Sequence, residues 1–178
     1  MRTIACSAAL LIGCTAVALA QQPAPTPAAQ ARSAVAALQA PPGSSVAGTV
    51  TFTRRGNRID VSVNVRGLTP GGHGFHIHER GDCSAADFAS AGGHFNPTAM
   101  PHGNPQQPHH HAGDLPMLTA NRNGSARLST RLTGLRLDQS ETGIVGRAVI
   151  IHADPDDYTT QPTGNSGGRI ACGVINAR

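Results

Sequence analysis

The 178-residue chain has no lysine and no tryptophan, a single tyrosine and only four phenylalanines. So few aromatic residues mean that a hydrophobic core must be assembled from Val, Ile, Leu and Ala. They also remove the aromatic platforms on which nucleic-acid bases stack. All 14 basic residues are arginines, scattered along the chain with no dense cluster, so a nucleic-acid partner is not expected. No amphipathic helix of useful length and no internal repeat is present. An uninterrupted apolar run long enough to span a membrane is also missing, because the one apolar stretch is broken by Ser7, Gly13 and Thr15.

That stretch, residues 1–20, carries one arginine, an apolar segment and small residues at Ala18 and Ala20, the pattern of a secretory signal peptide. Export to the periplasm or beyond is expected. A second reading is open at "LIGC", residues 11–14, which resembles a bacterial lipoprotein box and would make Cys14 a lipid anchor. The apolar "TAVALA" that follows favours cleavage, since a tether should turn polar there. Residues 21–33 read as a Pro/Ala/Gln-rich linker with too little bulky apolar content to fold, and residues 34–178 as the folded domain. Without the leader, 13 arginines face 10 acidic residues, a net +3 that favours solubility and at most weak attraction of anions. Cys6 and Cys14 fall in the leader, leaving Cys83 and Cys172. In an exported chain these have one possible pairing, a disulfide.

The domain reads as all-β. Val46, Val50 and Phe52 alternate with threonines, "RRGN" supplies a turn, and Ile59, Val61, Val63 and Val65 alternate with polar residues. Ala126, Leu128, Thr130 and Leu132 repeat the pattern. "RAVIIH" and "RIACGVI" are apolar on both phases, as strands in the middle of a sandwich or barrel would be. Two long loops, residues 80–117 and 153–168, are rich in Gly, Pro, Asp and His. Loops of that length in a compact domain are either functional or disordered.

The nine histidines concentrate in and around those loops. In "GFHIHERGDC", His76 and His78 alternate with Phe75 and Ile77. A strand would therefore project both imidazoles from one face, roughly 6–7 Å apart at Cα. Such a pair can grip a metal or simply form a hydrated polar face. His94, His102 and the pair His111/Asp114 offer three imidazoles and a carboxylate from one bent loop, a tetrahedral set that suits zinc. His76, His78 and His152, from strands, offer nitrogen without sulfur, which suits Cu(II).

The segments "GFHIHERGDC", "AGGHFNP", "HAGDLP", "GRAVIIH" and "GGRIACGVI", in that order, resemble the secreted bacterial copper/zinc superoxide dismutases over roughly residues 34–178. The resemblance implies a Greek-key β-sandwich or flattened barrel of about eight antiparallel strands with two functional loops. It implies copper at His76, His78, His94 and His152, and zinc at His94, His102, His111 and Asp114, so that His94 bridges the two ions. It further implies a Cys83–Cys172 disulfide and Arg169 beside copper as the residue that positions the substrate anion. Asp156 would be the carboxylate that links the outer nitrogens of His76 and His102. The implied substrate is superoxide, disproportionated to dioxygen and hydrogen peroxide, with His94 carrying a proton. Members of the family are monomers or homodimers.

Other residues take blander roles. His73 reads as a turn residue, His109 and His110 as a solvated run, and Glu79, Arg80 and Asp82 as loop-positioning charges. His110 is the fallback for His111 in the zinc set. The loop from Ala153 to Arg169 sets Asp154, Asp156 and Asp157 against one arginine, so its long-range pull on an anion should be weak. A non-catalytic copper/zinc carrier on the same fold is the alternative reading, and Arg169 argues against it, since a carrier needs no anion-positioning residue. An adhesion sandwich would have no use for six histidines meeting in one place.

Overall fold

The computed structural model describes residues 29–178. The expected leader and the linker as far as residue 28 lie outside the described residues. The described residues form nine strands: β1 Ser33–Leu38, β2 Ala47–Arg55, β3 Arg58–Arg66, β4 Gly71–His73, β5 Phe75–His78, β6 Leu118–Ala120, β7 Ala126–Thr133, β8 Ala148–His152 and β9 Arg169–Ala177. The helical content of the described residues is one 3₁₀ turn, Ala89–Ala91. β1 begins at Ser33, the last residue of the expected linker, and just before it the Ala31 N–H donates to the Leu137 carbonyl (2.8 Å).

The strands follow from the alternation. In β3 the residues Ile59, Val61, Val63 and Val65 are buried while Arg58, Ser62, Asn64 and Arg66 face water. The β2–β3 register pairs Val50 with Val63 and Phe52 with Val61 across a two-residue turn in which Gly56 takes φ 63°. Seven strands form an antiparallel sheet in the order β5-β8-β9-β1-β2-β3-β7, and β4 pairs with β6. Val50, Phe52, Val61 and Val63 share one buried cluster with Phe75, Ile77, Val149 and Ile151 from the far end of the sheet. The sheet therefore curls around a single core, the flattened sandwich or barrel that the sequence predicts.

The segment Gly71–His78 counts as two strands because its partner changes at Gly74. Before that residue it pairs with β6, after it with β8. A Cβ at Gly74 would collide with the Ser166 side chain, so the switch point needs glycine. The long loops run over residues 79–117 and 153–168. A third connection, residues 134–147, crosses from β7 to β8. Its Leu135, Leu137 and Ile144 are buried in the core, and it carries neither proline nor histidine.

β8 is buried on both faces. Val149 and Ile151 join the main core, whereas Ala148 and Ile150 pack with Phe88, Ala91 and Cys172 in a smaller cluster on the other side. That second side of the sheet carries the histidines.

Candidate metal centre

Phe75 and Ile77 point into the core, so the period of two turns His76 and His78 outward together. Their ring centroids are 6.3 Å apart. The loop after β5 returns along the same strand as an added layer of backbone pairing. The Ile77 N–H donates to the Gly113 carbonyl and the Phe95 N–H to the Ile77 carbonyl, each at 2.8 Å. This register sets His94 opposite His78 and Asp114 opposite His76. Gly113 makes the approach possible, because a Cβ there would strike the Ile77 carbonyl. The Arg147 guanidinium stacks 3.6 Å over the Phe95 ring and donates to the carbonyls of Gly143 (2.6 Å) and Glu79 (2.9 Å), which fixes the segment beside His94.

A bulge in β9 aims the last side chain. Ile151 pairs with Ala171 but His152 pairs with Arg169, leaving Ile170 as the extra residue. Without it, Arg169 would follow the opposite alternation; with it, Arg169 lies across from His152 on the histidine side. Its guanidinium donates to the Phe88 and Gly92 carbonyls, both at 2.6 Å.

Two groups of ligand-type side chains result, and His94 belongs to both. His76, His78, His94 and His152 each offer one ring nitrogen, as do His94, His102 and His111 together with an Asp114 oxygen. Within each group these atoms lie within 4.8 Å of one another. In the first group, His76 Nδ1 and the Nε2 atoms of His78, His94 and His152 are buried without any hydrogen-bond partner among the described residues. Buried polar atoms are rarely left so. Four together, facing one another, fit a cation that accepts nitrogen lone pairs.

The opposite nitrogens fix the tautomers. His76 Nε2 donates to Asp156 Oδ2 at 2.6 Å, His78 Nδ1 to the Gly92 carbonyl at 2.9 Å, and His152 Nδ1 to the Gly167 carbonyl at 3.2 Å. Each of these rings is thereby oriented with its lone pair inward. Burial pushes His78 down to about 2, His152 to about 3 and His94 to about 4, and it lowers His76 as well, so all four rings are neutral at pH 7.

In the second group, Asp114 Oδ1 lies 2.9 Å from His94 Nδ1, 3.1 Å from His102 Nδ1 and 3.4 Å from His111 Nδ1. His94 Nδ1 and His111 Nδ1 are 3.3 Å apart. Tetrahedral zinc with bonds of about 2.0–2.1 Å has ligand atoms about 3.3 Å from one another, so the spacing fits that ion. Burial alone would raise the Asp114 pKa, but hydrogen bonds with His102, His111 and His94 hold it well below the usual carboxylate range. For His102, burial is outweighed by its bonds to Asp114 and Asp156, which raise it to about 9. Asp156 joins the groups: Oδ2 takes His76, and Oδ1 takes His102 Nε2 at 2.9 Å.

His111 stands beside Asp114, whereas His110 turns its Nδ1 to the His111 carbonyl (2.6 Å) and His109 is exposed. His73 lies at the end of β4 rather than in a turn, buried, with Nδ1 and Nε2 beside the His152 and Thr69 carbonyls. Cys83 and Cys172 form a disulfide, with Cα atoms 5.8 Å apart, between the loop after β5 and β9. Sequence reasoning misses the Gly92 and Gly167 carbonyls, the Arg147–Phe95 stack and the bulge at Ile170, none of which has a side-chain motif.

Residues 46–175 match the family model for copper/zinc superoxide dismutase (SODC). A protein of Deinococcus radiodurans named superoxide dismutase [Cu-Zn] is 43% identical over 145 residues, covering 74% of this chain and 78% of that one. The crystal structure of a protein described as the clock protein EA4 superposes with a TM-score of 0.77 at 37% identity, covering 84% of this chain and 97% of that chain. On the extent of these matches, the chain belongs to the copper/zinc superoxide dismutase family.

Proposed function

We propose that the protein disproportionates superoxide to dioxygen and hydrogen peroxide, with copper held by His76, His78, His94 and His152. Zinc would be held by His94, His102, His111 and Asp114. The observation that carries this reading is the set of four buried, unpartnered imidazole nitrogens sharing one ring with an N₃O set of zinc-like spacing. Copper, when bound, supplies the one-electron couple that oxidises one superoxide and reduces the next.

The chain's own residues do the remaining work. His94 has Nδ1 committed to the second group, so Nε2 is the atom at which it can hold a proton and pass it to the reduced substrate. Arg169 presents a cation on the histidine side and orients the anion. Asp156 keeps the His76 and His102 rings in the tautomer that binding needs. The second group has four protein ligands and no open position, which suits a structural ion. The disulfide supports an oxidising compartment and so the periplasmic or secreted location expected from the leader. No helix among the described residues is long and apolar enough to cross a membrane. Whether the chain works as a monomer or a homodimer is decided by its mass in solution.

Copper and zinc content measured with superoxide consumption on one sample tests the whole reading. Both metals and rapid consumption are expected; both metals without consumption would make the protein a carrier. Asp156→Asn should leave the fold intact and cost about 10–100-fold in metal affinity or activity, while unaltered values would reduce Asp156 to a loop charge. Arg169→Ala should lower the second-order rate about 10-fold or more at unchanged metal content, with an effect that fades as salt rises. Arg169→Lys should fall between, because lysine keeps the charge but cannot bridge the Phe88 and Gly92 carbonyls together. An alanine variant as fast as wild type would remove Arg169 from the site.

A further inference from the structure

We propose that Gln161 is a positioning residue for His102, clasping that ligand's backbone while Asp156, from the same loop, holds its ring; this deepens the zinc assignment above and rests on it. The register that places His76, His78, His94 and Asp114 does not reach His102, which lies outside every strand and bridge among the described residues. Its backbone is satisfied instead by one side chain. The His102 N–H donates to Gln161 Oε1 at 2.8 Å, and Gln161 Nε2 donates to the His102 carbonyl at 2.9 Å. An amide that takes both groups of one residue reproduces the paired exchange of an antiparallel ladder. It fixes the rotation of the peptide as well as its position.

Two residues away the same device recurs. Asn96 Nδ2 donates to the Met100 carbonyl at 2.8 Å, and the Met100 N–H donates to Asn96 Oδ1 at 3.0 Å. Side-chain amides thus replace a strand partner along the stretch that delivers His102. The His102 ring is caught at both nitrogens, 3.1 Å from Asp114 Oδ1 and 2.9 Å from Asp156 Oδ1. Residues 153–168 therefore grip one ligand at three atoms, two through Gln161 and one through Asp156. Gly164 lets the loop close, because a Cβ there would overlap the Asp156 carboxylate.

The test is zinc affinity by chelator competition, together with the visible absorption of cobalt(II) loaded in place of zinc, on copper-free protein. Gln161→Met keeps the length and removes both bonds; Gln161→Asn keeps the amide but falls one methylene short and serves if the Met variant does not fold. Both should bind zinc about 10-fold more weakly and shift the cobalt bands, as loss of a ligand's supporting partner does. Asp157→Asn loosens the same loop at Thr159 and Thr160 without touching His102, and should keep wild-type affinity and spectrum. Wild-type affinity and spectrum in the Gln161 variants, or an equal loss in Asp157→Asn, would overturn the role. A wild-type protein that takes up neither zinc nor cobalt would overturn the zinc reading itself.

Discussion

His94→Ala loses superoxide consumption by at least the factor on the order of 100–10,000 that a positioned proton donor contributes, and loses ordered binding at both metal sites. No other residue among those described belongs to both ligand groups. Its Nε2 is one of the four buried unpartnered nitrogens, and its Nδ1 faces Asp114 Oδ1 at 2.9 Å and His111 Nδ1 at 3.3 Å. The ring is also stacked on His76, centroids 3.9 Å apart, so its removal takes packing from the first group as well. Truncation leaves three ligands in each group, with nothing to couple them. Metal content, the copper electron paramagnetic resonance spectrum and activity on one preparation give the answer. Two retained metals with an unchanged copper spectrum would show that the ring is not shared. His109→Ala, at an exposed position outside both groups, should leave all three readings unchanged. Zinc loss in that variant would mean that the histidine run binds in another register.

Removing the disulfide should cost about 4–5 kcal/mol, the chain-entropy value for a loop of this length. The two cysteines are 89 residues apart, and Cys172 is completely buried between Phe88, Ala91, Ala148 and Ile150. Domains of this size have only about 5–15 kcal/mol to lose. A double Cys83→Ala/Cys172→Ala variant at equal metal loading should therefore melt on the order of 10–20 °C lower. Activity should fall further than metal content, because Phe88 and Gly92, whose carbonyls hold Arg169, lie in the loop that Cys83 anchors. A midpoint within about 2 °C of wild type, or free thiols in native exported protein, would contradict this.

Side-chain chemistry made the candidate ligands legible in advance. The alternation around His76 and His78, the HxxD spacing of His111 and Asp114, and the two remaining cysteines all act through groups that the sequence spells out. The structure brings them together as two groups sharing His94. Most of what stayed hidden acts through the backbone. The Gly92 carbonyl accepts from both His78 and Arg169, yet any residue has a carbonyl, so the letter at that position reports only its φ of 74°. The bulge at Ile170 is invisible because "RIACGVI" is apolar on both phases and offers no alternation to break. The connection over residues 134–147 hides because it has no proline, which both of the long loops contain, and no histidine. Gln161 carries neither charge nor metal affinity, so nothing in its neighbourhood marks it before the fold is known.

The loop that delivers His94 and Asp114 also closes an open flank. β5 stands at one end of the seven-stranded sheet, with β8 as its only strand neighbour there among the described residues. Its other side is occupied by loop backbone through the Ile77, Gly113 and Phe95 bonds. A bare strand edge is a template on which another chain can add itself, the first step toward fibrous or amorphous self-association. Whatever unseats this loop, whether loss of ligands or of the Cys83 anchor, lays bare the Phe75–His78 edge with its apolar residues. The residues proposed to hold the metals would thus also guard the protein against sticking to copies of itself, and colloidal stability and metal occupancy should decline together.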